Sequence, residues 1–187
     1  FHMSGLEIMR SAEVICSYIM KGFDMTKNCP IILCGFTSSG KTTIGKLLSE
    51  RLGLPFYDTD QMLIEHYQMT IPEIFAKGGE TLFRDYEHEI ARRVCTLGPS
   101  VVSTGGGMLT FDRNGEILAK NGMIFYIDRP FEDCYANLAQ HPERPLFKNH
   151  TKKEVQDKNK KSKNNRKNKI KAHNLQVEEI IKTKKEL

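Results

Sequence analysis

The sequence predicts an α/β fold, a three-layer sandwich with a central parallel sheet. Three observations carry this. Apolar, β-branched runs at Pro30–Cys34, Ser100–Thr104 and Met123–Ile127 read as buried strands. Short links join them to helical patterns, and repeated strand-to-helix alternation builds a parallel sheet with right-handed crossovers. Glycines and carboxylates stand directly after the strands, at the carboxyl ends where such sheets bind ligands.

Taken in order, the chain opens with Phe1-His2-Met3, which reads as a cloning scar. Leu6, Met9, Ala12, Ile15, Ile19 and Phe23 recur at helical spacing and predict an amphipathic helix over Leu6–Gly22. Its expected role is packing, on the domain or on a partner. Glu7 and Glu13 interrupt the apolar pattern and argue against a secretory signal. Residues 1–27 are therefore taken as an extension, with Met25 as a possible start of the core. Residues 28–187 are taken as a single domain, with a lid at about 140–153 and an atypical basic tail at 154–187.

The first strand leads into Gly35-Phe36-Thr37-Ser38-Ser39-Gly40-Lys41-Thr42-Thr43, followed by a helix over Thr42–Leu52. This is a G-x-x-x-x-G-K-[ST] phosphate loop between strand and helix. Backbone N–H groups from Ser38, Ser39 and Gly40 through Thr43 converge on an anion at a helix N-terminus. Lys41 supplies a point charge for the β- and γ-phosphates, and the Thr42 hydroxyl is a ligand for Mg²⁺. The loop predicts binding of a nucleoside triphosphate without specifying the acceptor.

A short strand, Pro55–Tyr57, runs into Asp58-Thr59-Asp60. Two carboxylates two residues apart share a face if extended. They read as magnesium and acceptor ligands, or as a cap, with Asp60 preceding a helix over Gln61–Tyr67. A helix from Ile71 is expected to stop at Gly78-Gly79, and a second runs from Glu80 to about Cys95 with Leu82, Phe83, Tyr86, Ile90 and Val94 as its apolar stripe. Arg84 lies off that stripe and by itself reads as a solvated charge. Gly105-Gly106-Gly107 after the second buried strand implies a close backbone approach to a ligand or another chain segment, or else a simple tight turn. Met123–Ile127 is followed by a helix over Phe131–Ala139. His141-Pro142-Glu143-Arg144-Pro145-Leu146-Phe147 reads as a flap whose Arg144 is a cation able to close on transferring phosphate.

Composition narrows the class. No apolar run in the 187 residues approaches the ~18 needed to cross a membrane. Five cysteines without a CxxC pair fit a reduced, cytoplasmic setting, with Cys34 and Cys95 expected in the core. The net charge of +5 is uneven. Residues 148–187 hold 14 Lys/Arg against 5 Asp/Glu, a net +9, so the remainder, with 14 against 18, is at −4. Eight of the fourteen residues in Lys158–Lys171 are basic, which reads as a solvated, low-complexity tail rather than an RNA or polyphosphate surface.

Together the phosphate loop, Asp58-Thr59-Asp60, Gly79-Glu80-Thr81-Leu82-Phe83-Arg84 with Glu87, Thr104-Gly105-Gly106-Gly107 and Arg144-Pro145-Leu146 resemble the shikimate kinases, in family order over about Cys29–Phe147. The resemblance implies a P-loop fold like that of the nucleoside monophosphate kinases. It implies ATP-dependent phosphorylation of the 3-hydroxyl of shikimate, with Mg²⁺, in aromatic amino-acid biosynthesis. It assigns substrate hydroxyls and the reacting proton to Asp60, water-mediated magnesium support to Asp58 and the substrate carboxylate to Arg84. Backbone contacts to substrate fall to Gly105, Gly106 and Gly107, with Gly106 central, and phosphate contact from the lid falls to Arg144. Three departures stand out. The family has glycine where Ser38 stands. Its post-lid arginine and P-L-Y-like patch are missing here, which leaves Arg166 as the candidate for a second carboxylate contact. A family arginine used against adenine also has no clear counterpart around Gln140. The expected partners are shikimate and ATP, with no membrane or nucleic acid, and the expected state is a monomer. The alternatives are another small-metabolite kinase of the same fold, and a catalytically impaired module that binds nucleotide or, through its tail, nucleic acid.

Overall fold

The computed structural model describes residues 5–22, 28–140, 151–157, 159, 160 and 163. Its elements run α1 (Gly5–Gly22), β1 (Ile31–Gly35), α2 (Lys41–Leu52), β2 (Phe56–Asp58), α3 (Thr59–Tyr67), α4 (Ile71–Val94), β3 (Val101–Ser103), a 3₁₀ turn (Met108–Thr110), α5 (Asp112–Asn121), β4 (Met123–Ile127) and α6 (Phe131–Leu138).

The four strands form one sheet in the order β2-β3-β1-β4, with every pair parallel. Right-handed crossovers then decide which face each helix covers. The β1-to-β2 connection moves one way across the sheet and the β2-to-β3 and β3-to-β4 connections move the other. α2 is accordingly opposite α3, α4 and α5. The side-chain alternation of the strands agrees. Ile32, Cys34, Val102, Ile124 and Tyr126 pack against Leu63, Ile74, Phe83, Ile90 and Leu118 from α3, α4 and α5. Ile31, Leu33, Val101, Phe125 and Ile127 pack on the other face against Ile44 and Leu48 of α2. Both faces of a parallel sheet need covering, and the second is completed by α1 through Ala12, Ile15 and Ile19, each at most 1 % exposed. Tyr18 meets Phe125 edge-on at 6.0 Å, and Glu13 pairs with Arg51 of α2 at 3.2 Å.

Several boundaries differ from the sequence reading. The helix after β2 begins at Thr59, and its N-cap is Asp58, whose Oδ1 accepts from the Asp60 N–H at 3.0 Å. Asp60 is thus inside the first turn rather than at the cap. The helices on either side of Gly78-Gly79 form one kinked element, α4. Gly79, at φ 64 and ψ −159, occupies a region that is essentially glycine-only, which explains both the predicted break and the kink. A capping box between Thr70 and Glu73 starts α4. The sequence reading had no counterpart for α5. Asn114 sits fully buried in it, with Nδ2 donating to the Met108 carbonyl and Oδ1 at 2.7 Å from His88 Nδ1. Cys34 is in the core as expected, whereas Cys95 is half-buried at its edge.

Candidate functional site

The carboxyl ends of the strands open onto a cleft of about 350 Å³. The phosphate loop forms its floor with Thr37, Ser38, Gly40, Lys41, Thr42 and Thr43. Asp58 and Asp60 enter from the end of β2, and Thr104, Gly105 and Gly106 from the end of β3. Three stretches far apart in sequence therefore share one space, because the parallel sheet brings its strand tips to the same edge.

Locally the loop is built by its own backbone. The Ser39 N–H donates to the Phe36 carbonyl at 3.2 Å, and Gly40, at φ 92, turns the chain into α2. Lys41 is 7 % exposed and donates from Nζ to the Phe36 carbonyl at 2.7 Å. Ser38 adopts φ 62, the left-handed conformation for which glycine is the natural residue.

Thr42 Oγ1 donates to Asp58 Oδ2 at 3.0 Å and lies 3.3 Å from Ser103 Oγ. Asp58, rather than Asp60, caps α3 with one oxygen, and its other oxygen meets the loop hydroxyl. Ser103, buried at the last position of β3, was missed. Its signal was only a hydroxyl in a β-branched run.

The triple glycine is packed too closely for side chains. A Cβ on Gly105 would stand 2.6 Å from Asp60 Oδ1, and one on Gly107 would stand 2.7 Å from Arg84 Nη1. A Cβ on Gly106 would collide with the Thr37 hydroxyl. The Gly105 N–H donates to Thr59 Oγ1 at 2.9 Å, which clips the turn to the start of α3. Close approach, rather than a plain turn, is the reason for the glycines.

Arg84 is not a solvated charge. Its side chain is 11 % exposed, with Nη1 donating to Glu87 Oε2 at 2.8 Å and Nη2 to Glu80 Oε1 at 2.9 Å. Its guanidinium lies 4.9 Å from the Phe111 ring centre and 5.1 Å from that of Phe83. Burial pulls the Arg84 pKa down, but Glu87 and Glu80 outweigh it and the group stays firmly charged. Glu87 is 2 % exposed. Burial pushes its carboxyl up to about 7 against the pull of Arg84, with smaller upward pushes from Asp60 and Glu80. In sequence Arg84 lies off the apolar stripe and by itself reads as a solvated charge, and only the fold shows the buried carboxylate beside it.

At the other end of the cleft are Arg129, Asn137 and Gln140, with Ile8 from α1. None of these was singled out as a site residue. Arg129 is 9 % exposed and faces Asp133 at 3.7 Å, while Lys163 donates to Asp128 Oδ1 at 2.7 Å. Arg144, Arg166, most of the lid and most of the Lys158–Lys171 run lie outside the described residues.

A family model for shikimate kinase matches residues 37–186. The chain belongs to the shikimate kinase family. Among relatives, the shikimate kinase of Caldicellulosiruptor bescii is 43 % identical over 119 residues, covering 64 % of this chain and 69 % of the relative. That of Aquifex aeolicus is 39 % identical over 118 residues, covering 63 % and 70 %. Among solved structures, shikimate kinase from Acinetobacter baumannii in complex with shikimate superimposes with a TM-score of 0.69 at 27 % identity, over 84 % of this chain and 83 % of that one. Shikimate kinase from Aquifex aeolicus gives 0.63 at 34 %, over 74 % and 82 %. The fold common to the shikimate kinases is therefore the fold of this chain. The stretch matched by the family model begins after α1 and takes in the phosphate loop from Thr37, both aspartates, Arg84 and the triple glycine.

Proposed function

We propose that this chain transfers the γ-phosphoryl group of ATP to the 3-hydroxyl of shikimate, giving shikimate 3-phosphate and ADP. Family membership gives the reaction class. The single observation that carries the reading to this site is the meeting of Lys41, Asp60 and Gly106 on one cleft.

The chemistry asks for little covalent participation. Phosphoryl transfer depends on in-line positioning and on neutralising charge over the transferred group. Loop N–H groups and Lys41 hold the phosphates. Asp60, in the first turn of α3 beside Gly105, is the group we assign to orient an acceptor hydroxyl and take its proton. The Arg84 fork suits the planar carboxylate of a small acid, and its partners Glu87 and Glu80 hold it in position. Arg144 is assigned to the phosphate from the lid and Arg166 to a second carboxylate contact, both on the resemblance alone.

The residues fit Mg²⁺. Thr42 and Asp58 are hard oxygen donors already in contact, and among the described residues no cluster of three or more His, Cys, Asp or Glu forms a protein cage. Magnesium in such sites keeps one or two protein ligands and takes the rest from phosphate and water. When bound it neutralises charge on the β- and γ-phosphates.

The test is ADP release measured with and without shikimate. Release that depends on shikimate, and that falls by about a hundredfold or more in Lys41→Ala, is the expected result. Nucleotide binding without shikimate-dependent turnover would sink the reading in favour of an impaired nucleotide-binding module.

A further inference from the structure

Arg129 has no task in the reaction as derived so far. It follows β4 by two residues, and its side chain, nine-tenths buried, lines the cleft. A guanidinium is costly to bury unless anions face it. Among the described residues the carboxylate paired with it is Asp133, whose Oδ2 stands 3.7 Å from Nε, beyond hydrogen-bond length. The adjacent Asp128 is taken by Lys163, which donates to its Oδ1 at 2.7 Å.

Strand register fixes where this cation stands. β4 runs parallel to β1, and its last residue, Ile127, is opposite Gly35, the first residue of the phosphate loop. Arg129 therefore borders the loop on the side away from β3. Burial pushes the Cys134 thiol of α6 up to about 11, and Arg129 and Lys41 are the two cations that pull against it. Both positive groups thus lie within electrostatic reach of one buried atom. The sheet order sets the charged groups in a row across one edge: Asp58 and Asp60 after β2, Lys41 in the loop after β1, Arg129 after β4. A phosphate chain that presents its terminal group to Asp60 and crosses the loop runs on toward Arg129.

We propose that Arg129 is a fixed phosphate ligand, its guanidinium donating to the α-phosphate of the nucleotide while Lys41 and the loop hold the phosphates beyond it. The proposal rests on the nucleotide-binding reading above. A guanidinium offers several N–H donors in one plane and suits the paired oxygens of a phosphate. Standing just past a core strand, Arg129 supplies its charge from the body of the fold, so the contact does not depend on the lid.

The test is equilibrium binding of ADP to the full chain without magnesium, so that neither turnover nor metal coordination enters. Arg129→Met should weaken ADP about tenfold or more and leave shikimate affinity within about twofold. The α-thio analogue of ADP locates the contact, because sulfur is a weak hydrogen-bond acceptor. Wild type should bind one diastereomer of it about threefold or more weakly than ADP, and Arg129→Met should bind both within about twofold of ADP. Arg129→Lys keeps a charge opposite Asp133 but loses the planar fork, and should weaken ADP about three- to tenfold. That variant serves in place of Arg129→Met if the latter does not fold. Unchanged ADP affinity would overturn the proposal, and so would undiminished discrimination against the α-thio analogue in Arg129→Met. Asp133→Asn should leave ADP affinity within about twofold. A loss there equal to that in Arg129→Met would make Arg129 a structural partner of α6 and overturn the contact. Failure of the kinase reading shows separately, as missing shikimate-dependent ADP release.

Discussion

Arg84 and Glu87 form the ion pair on which the proposed acceptor recognition turns. Removing the guanidinium takes away a two-pronged donor, and charged hydrogen bonds of this kind are worth about 1.5–3 kcal/mol. Arg84→Ala should therefore weaken shikimate binding about 10- to 100-fold while ATP affinity stays within about twofold, as titration of each ligand would show. Equal losses for both ligands would contradict a carboxylate clamp. Glu87 makes a pH-dependent prediction. Its carboxyl rises from 4.5 to about 7 on folding, so the native state binds the proton more tightly. The stability this provides is fully present below pH 4.5 and is lost as pH rises through 7, by an amount on the order of 3 kcal/mol. Denaturation of wild type and Glu87→Gln between pH 4.5 and 8 should show the difference between them changing over that window. Ser38 carries a backbone cost that glycine would not, since its φ of 62 lies in the left-handed region.

Among the elements, the kink of α4 turns the helix that carries Arg84, and α1 is seated on the second face of the sheet. Gly79 has no heavy atom within 4 Å of where a Cβ would stand, so a substitution there meets no clash, only the backbone penalty. Gly79→Ala should cost about 1–3 kcal/mol in chemical denaturation and loosen shikimate more than ATP, because the bend sets the direction of the helix that carries Arg84. Ile15, 1 % exposed, is central to the contact of α1 with the second face of the sheet. Ile15→Ala should destabilise the protein by about 2–5 kcal/mol, and an unchanged midpoint would mean that α1 is not part of the cooperative fold.

At the scale of the whole molecule, the elements to which the two ligands are assigned in the proposal meet only in the folded state. ADP at a hundred times its Kd should therefore add about 2.7 kcal/mol of stability, seen as a raised thermal midpoint that depends on nucleotide concentration. The strands, the phosphate loop and the parallel topology were legible in the residues because each has a local cause: β-branched runs, a glycine-lysine spacing, short links. Met123–Ile127 needed no correction, and Gly78-Gly79 marked a real break in dihedral angles. Asp58 and Asp60 were legible as a pair but not in their division of labour, which depends on where α3 begins. The local reading of Arg84 as a solvated charge failed because a helical stripe says nothing about a carboxylate buried beside it, and α5 was missed although Asn114 anchors it from within. Ile8 and Asn137 carry no motif and lie 129 positions apart, so nothing local joins them. By itself the sequence determined the class of anion the loop can cradle and the edge of the sheet where ligands meet, since backbone conformation and hydrophobic period act over a few residues. The tertiary structure alone decided which carboxyl is buried, which arginine is held, and which helix closes the far end of the cleft, because desolvation and packing are set by neighbours that the chain order does not reveal.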